Sequence, residues 1–293
     1  MTASREKLGL LLGFIGMCMF AGTLPATRLA LLGLDPLFLT AARGAFAGSA
    51  ALAVLLLSGR KLPPRLLWGE ICGTALCTAL AYPLFAAFAM MSLPAAHGGV
   101  VLGILPLATA AAAALIAHER PSRGFWLASA AGAALVLIFT LRQSGGMGAS
   151  VGDLFLLGTI AAGAIGYTMS ARLTALMPGW EVISWQVVIL LPLFAAATVA
   201  LWPRDVTSVP IACWIGLGYV GLVSQYTSFF VFNAAMARAG IARTSQIMLL
   251  QPFVIIALAV VVNGEPIKAE TVFFAAAVMA TVLIAQRMRV VRR

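Results

Sequence analysis

Eight amide or phenol side chains and two basic ones fall inside long apolar stretches of this 293-residue chain. The first group is Tyr82, Tyr167, Gln186, Gln225, Tyr226, Asn233, Gln246 and Gln251; the second is Arg43 and His97. Polar groups at membrane depth are costly, so they turn toward one another or toward a wet cavity. Each alone is compatible with an interhelical hydrogen bond. As a set, drawn from several stretches, they suit a cavity for a small solute that is partly polar and partly apolar. The expected binding residues are Arg43, Tyr82, Phe88, His97, Tyr167, Trp185, Gln186, Gln225, Tyr226 and Gln246, with Phe85, Phe229 and Phe232 as further apolar wall. Arg43 costs about 2.5–3.5 kcal/mol at mid-bilayer and less near an end. It therefore either snorkels outward, caps carbonyls, or meets a carboxylate on the solute. His97, just after Pro94, is a helix-end hydrogen bonder or a titrating switch.

Other chemistry is missing. No HExxH, GxSxG, phosphate-loop or TVGYG filter motif occurs, and no lysine sits in the middle of an apolar stretch. Cys18, Cys72, Cys77 and Cys213 show neither metal spacing nor a disulfide framework. The sequence thus points to no enzyme, no metal and no cofactor. Asp35, Glu70, Asp153, Glu181, Asp205 and Glu270 all stand at the ends of apolar stretches. With no carboxylate at depth to trade a proton, gradient-driven movement of solute is the expectation.

The elements that must hold these groups are membrane helices. Hydrophobic residues make up 62% of the chain and charged residues 10%, with a mean hydropathy of +1.04. That balance excludes an ordinary soluble domain. A spanning helix needs about 20 apolar residues, and the alternation of a membrane barrel is absent. Charges, prolines and glycines divide the chain into stretches near 8–27, 36–58, 68–91, 95–117, 123–141, 153–175, 181–202, 209–236, 241–262 and 267–287. Residues 71–117 hold no Asp, Glu, Lys or Arg, yet as one helix they would run roughly 70 Å, about twice a bilayer core. Pro94 supplies the break. Of 19 Lys and Arg residues, an N-terminus placed inside puts 14 inside and leaves Arg28, Arg43, Arg142, Arg204 and Lys268 outside. That bias orients the chain with both termini cytoplasmic. It also explains the net charge of +10 without nucleic acid.

The chain also repeats itself. Residues 103–121 (GILPLATAAAAALIAHERP) and 248–266 (MLLQPFVIIALAVVVNGEP) each carry a proline in an apolar run, Pro106 or Pro252. Each proline is followed 13 residues later by a glutamate, Glu119 or Glu265, and then by a second proline. The copies lie 146 residues apart, so residues 1–146 and 147–293 read as two halves. Five spans each, an odd number, make the halves inverted, which is the geometry for alternating access. The matched prolines interrupt their helices and are candidate hinges. Small residues at four-residue spacing, such as Gly9/Gly13, Gly44/Gly48, Gly99/Gly103 and Gly158/Ala162/Gly166, allow close helix packing or a dimer face. The fold class is therefore an all-α polytopic membrane protein of ten transmembrane helices in two inverted five-helix repeats.

These P…ERP and P…GEP segments, the ten stretches, and Tyr167, Ala171, Arg172, Trp185 and Gln186 resemble the drug/metabolite transporter superfamily, EamA-like branch. Within it the chain is similar to bacterial amino-acid exporters of the YddG type. The resemblance implies a basket of helices around a cavity formed by the first, third, fourth, sixth, eighth and ninth spans. It implies a multi-pass bacterial inner-membrane exporter of amino acids, aromatic ones among them, or related metabolites. Its partners would be the solute and the bilayer, and it would act as a monomer or homodimer. Efflux of amphipathic drugs is one alternative, a scaffold or sensor without flux another. Two departures stand out: Gly22-Thr23 where many members carry a tryptophan in the first span, and His118 where a glycine usually precedes the glutamate.

Overall fold

In the computed structural model the described residues are 3–116, 120–143, 150–240, 244, 246–288 and 290–291. Glu119 and His118 lie outside them. The helical segments are α1 (Lys7–Ala30), α2 (Pro36–Leu57), α3 (Arg65–Met90), α4 (Ala95–Ile116), α5 (Arg123–Gln143) and α6 (Val151–Leu173). They continue with α7 (Gly179–Ile189 and Leu191–Ala200), α8 (Ile211–Ala239), α9 (Met248–Asn263) and α10 (Ala269–Gln286). Eight are long and apolar enough to cross a membrane, and α7 makes a ninth if its two pieces, bent by 44°, count as one span. The bend falls just before Pro192, which cannot donate to the preceding turn. The α9 segment is shorter than a full span, so the expected ten spans appear as eight or nine among the described residues. A two-residue strand pairing joins Arg120–Pro121 to Val290–Val291.

The helix starts follow from local chemistry. Asp35 accepts the amides of Leu37 and Phe38 at 2.8 and 3.2 Å and is followed by Pro36, a strong signal for the start of α2. Ser150 and Asp153 make a reciprocal capping box at the start of α6. Packing is close where glycine permits it. A Cβ on Gly9 would stand 2.7 Å from the Ala239 amide nitrogen, and one on Gly216 would stand 2.8 Å from the Ala26 carbonyl. The other small-residue positions likewise meet neighbouring helices of the same chain: Gly44 faces Phe194, Gly99 faces Ile255 and Gly166 faces Thr78.

Among the described residues every ion pair joins two residues that the charge bias puts on one side. At the end bearing the chain termini, Arg60 meets Glu181 at 3.1 Å and Arg172 meets Glu70 at 2.8 Å. At the far end, Arg28 meets Glu265 at 3.4 Å, His97 meets Asp153 at 2.8 Å, and Arg142 meets Glu270. Reporters fused at the C-terminus and in the 60–66 connection should therefore read cytoplasmic, and one in the 142–152 connection external. A C-terminal reporter active outside would overturn the inverted-repeat argument.

Candidate functional site

Two departures from α-helical winding shape the centre. Leu76–Ala81 in α3 and Tyr219–Thr227 in α8 are π-helical. These two helices hold corresponding places in the two halves, and a π turn rotates the side chains that follow it relative to those before. In α3 it delivers Thr78 and Tyr82 to the interior, and in α8 Ser224 and Gln225. A second matched pair of interruptions lies at the prolines. The α4 helix breaks at Gly103–Ile104 and restarts at Leu105-Pro106, while α9 passes from a 3-10 turn at Met248–Leu250 into Gln251-Pro252.

Between these elements lies a cavity of about 440 Å³. Its polar lining includes Arg43, Thr78, Tyr82, Tyr167, Ser170, Gln225, Asn233 and Gln251. Its apolar wall includes Phe20, Phe229, Phe232 and Met248. A second cavity of about 360 Å³ adjoins it, sharing Tyr82, Leu105, Tyr167, Phe232, Met248 and Gln251, and reaching both Pro106 and Pro252. At the termini-bearing end the lining extends to Thr174, Gly179, Met236 and Gln286. Among the described residues none from the far-end connections lines either space.

Arg43 is 3% exposed and does not snorkel. Its Nη2 donates to Gln225 Oε1 at 2.7 Å, while its Nε is buried without a partner. The Tyr82 and Tyr167 rings lie 6.2 Å apart on the same cavity wall. Thr23 and Ser224, 2.6 Å apart between hydroxyls, tie α1 to α8 beside them. The place of the family tryptophan in the first span is occupied from α8: a Cβ on Gly22 would strike the Tyr219 hydroxyl, which donates to the Met19 carbonyl at 2.9 Å.

Of the ten expected binding residues, the structure brings Arg43, Tyr82, Tyr167 and Gln225 into the cavity. Gln186 sits one layer back, accepting from Thr78 at 3.0 Å and donating to Ser170 at 3.2 Å. Tyr226 faces α7 instead, hydroxyl to hydroxyl with Ser184 at 2.9 Å and edge-on to Phe230. Trp185 packs against Ile71, Leu173 and Val182, and Phe88 stacks on Phe155. Gln246 is exposed and lines neither cavity. His97 is buried at the far end, stacked on Phe139 and bonded through Nε2 to Asp153 Oδ1. Thr23, Thr78, Ser170, Ser224 and Phe20 line the cavity without having stood out in the sequence. A mid-helix hydroxyl usually bonds its own i−4 carbonyl, as Thr78 does to Thr74, so type alone gives little signal.

The far end is closed by Glu265. Gly264 takes a left-handed φ of 67°, which stops α9 and turns Glu265 back over the bundle. The Glu265 carboxylate accepts the amides of Ala95 and Ala96 at 2.7 and 3.0 Å, so it caps α4 in the other half. It also holds Arg28, which in turn bonds the Leu93 carbonyl. Beside it, Asp153 joins α6 to α4, with Oδ2 on Ser150 and Oδ1 on His97. Among the described residues no group of three or more His, Cys, Asp or Glu side chains is arranged to hold a metal.

The family model described as EamA-like transporter family matches residues 7–141 and again 150–286. The Bacillus subtilis (strain 168) protein named "Uncharacterized transporter YdeK" is 37% identical over 284 residues, covering 97% of this chain and 99% of that one. A solved crystal structure superposes with a TM-score of 0.65 at 21% identity, covering 97% of this chain and 99% of its own; that likeness concerns the fold alone.

Proposed function

This chain belongs to the EamA-like transporter family, and we propose that it exports amino acids or related small metabolites across a bacterial inner membrane by alternating access. The observation that carries the reading is the central cavity: about 440 Å³, within the range of small-molecule sites, lined by guanidinium, hydroxyl and amide groups together with phenyl rings. Among the described residues its lining reaches one end of the bundle and not the other, as an access state open to a single side requires. The two halves are inverted five-helix repeats, and the matched breaks at Pro106 and Pro252 are the hinges about which they exchange shapes. Both prolines line the adjoining 360 Å³ cavity, which shares Tyr82, Tyr167 and Gln251 with the central one, so hinge movement reaches the site. The cavity lining among the described residues includes no carboxylate, and the solute runs down its own gradient.

Counterflow of labelled amino acids in proteoliposomes tests this. Saturable exchange is expected, with Tyr82→Ala lowering it about fivefold because a lining hydroxyl is lost. Tyr226→Ala should leave the solute's apparent affinity unchanged, since its hydroxyl serves Ser184. Absence of saturable flux would favour a scaffold, and movement of lipophilic cations without amino acids would favour drug efflux.

A further inference from the structure

Arg43 is the one formally charged side chain lining either cavity among the described residues. It is 3% exposed, and burial of a charge is costly unless it is paired. Yet its hydrogen-bond partner is a neutral amide, Gln225, and its Nε–H is buried and unbonded. A guanidinium presents five donors in a fixed fork that matches a carboxylate, so most of this fork is unspent. No lining residue offers a carboxylate of its own to neutralise it. Tyr167 donates its hydroxyl to Tyr82, which leaves the Tyr82 O–H to donate to an anion beside Arg43. The same lining carries three phenyl rings, Phe20, Phe229 and Phe232, with Phe20 edge-on to both others at 4.9 and 5.9 Å.

We propose that Arg43 is the carboxylate anchor of the cavity, and that the solutes it selects are small amphipathic monocarboxylates, amino acids included, with cations excluded. This rests on the transport reading above and narrows its substrate class. The carboxylate meets the guanidinium Nε edge, and the apolar tail lies along the phenyl wall. An α-ammonium finds no opposite charge among the described lining residues, only hydroxyl and amide oxygens. A carboxylate without an ammonium is therefore accepted at least as readily as a zwitterion.

Three probes that share one phenyl group separate these features: 3-phenylpropionate (anion), L-phenylalanine (zwitterion) and L-phenylalaninamide (cation). Equilibrium dialysis of the detergent-purified protein reads binding, and counterflow in proteoliposomes reads flux. The two carboxylates are expected to bind, 3-phenylpropionate at least as tightly as phenylalanine, with the amide weaker by about tenfold or more. Arg43→Gln should erase most of that discrimination, and Arg43→Lys, which keeps charge but loses the fork, should fall between. If Arg43→Gln does not yield a monodisperse protein, the wild-type ranking and Arg43→Lys decide. Amide binding as tight as the acids, no binding of either acid, or discrimination that survives in Arg43→Gln would overturn the proposal. Binding of the acids without counterflow keeps this site and removes the transport reading. Equal flux of all three probes keeps the transporter and removes the site.

Discussion

Gln225→Leu is expected to lower the stability of the purified protein by about 1.5–3 kcal/mol, the usual worth of a buried hydrogen bond to a charged group. The Gln225 carbonyl oxygen receives Arg43 Nη2 at 2.7 Å, and Arg43 has no other hydrogen bond among the described residues. Leucine fills similar space but leaves the guanidinium unaccompanied, with its Nε already buried and unpaired. The test is a double-mutant cycle on the denaturation midpoint in detergent. Arg43→Met combined with Gln225→Leu removes donor and acceptor together, so the pair should lose much less than the sum of the single changes. Additive losses, or a Gln225→Leu protein as stable as the parent, would mean that cavity water satisfies Arg43. The bond would then carry no structural weight. A bound monocarboxylate should protect Gln225→Leu more than the parent, because it supplies the missing counter-group.

The same residue shows how far the sequence could be read. Arg43 could be flagged from composition alone, because a cation in an apolar run is costly wherever it sits. Its direction could not. In sequence alone snorkelling is open to it, whereas the structure turns it inward onto Gln225, 182 residues away in the chain. What redirects the neighbouring groups is π winding at Leu76–Ala81 and Tyr219–Thr227, which a periodicity of 3.6 does not reveal. Tyr226 adjoins Gln225 in sequence yet faces α7, as neighbours about 100° apart on any helix do. The stretches and the break at Pro94 are legible because charge, proline and hydropathy are local properties. Pro192 marks the place of the break in α7, but not its 44° angle, which depends on how the bundle packs. His97 had been grouped with the binding residues on depth alone. Its partner Asp153 stands 56 residues on, and two helix-end residues meet only once α4 and α6 are side by side.

Glu265→Ala is expected to shift the protein toward opening at the far end by roughly 2 kcal/mol, or about twentyfold or more in population. The carboxylate now caps Ala95 and Ala96 and meets Arg28, so one side chain pins the α9–α10 connection to α4 and to the end of α1. In a carrier that opens alternately, those contacts exist while that end is closed and must break before it opens. Alanine removes stabilisation from the closed state only, which is the condition for moving the equilibrium rather than merely weakening the fold. Glu265→Gln keeps a carbonyl acceptor for one amide but loses the charge that favours the helix N-terminus, so its shift should be intermediate. The reading uses Thr23→Cys, a lining position on α1, in a background with Cys18, Cys72, Cys77 and Cys213 replaced by alanine. A membrane-impermeant maleimide added from outside should label Thr23→Cys about tenfold or more faster in Glu265→Ala than in the parent. A lower denaturation midpoint with an unchanged labelling rate would reduce Glu265 to a structural cap. Faster labelling with a midpoint near the parent's would identify it as the latch that α4, α9 and Arg28 share.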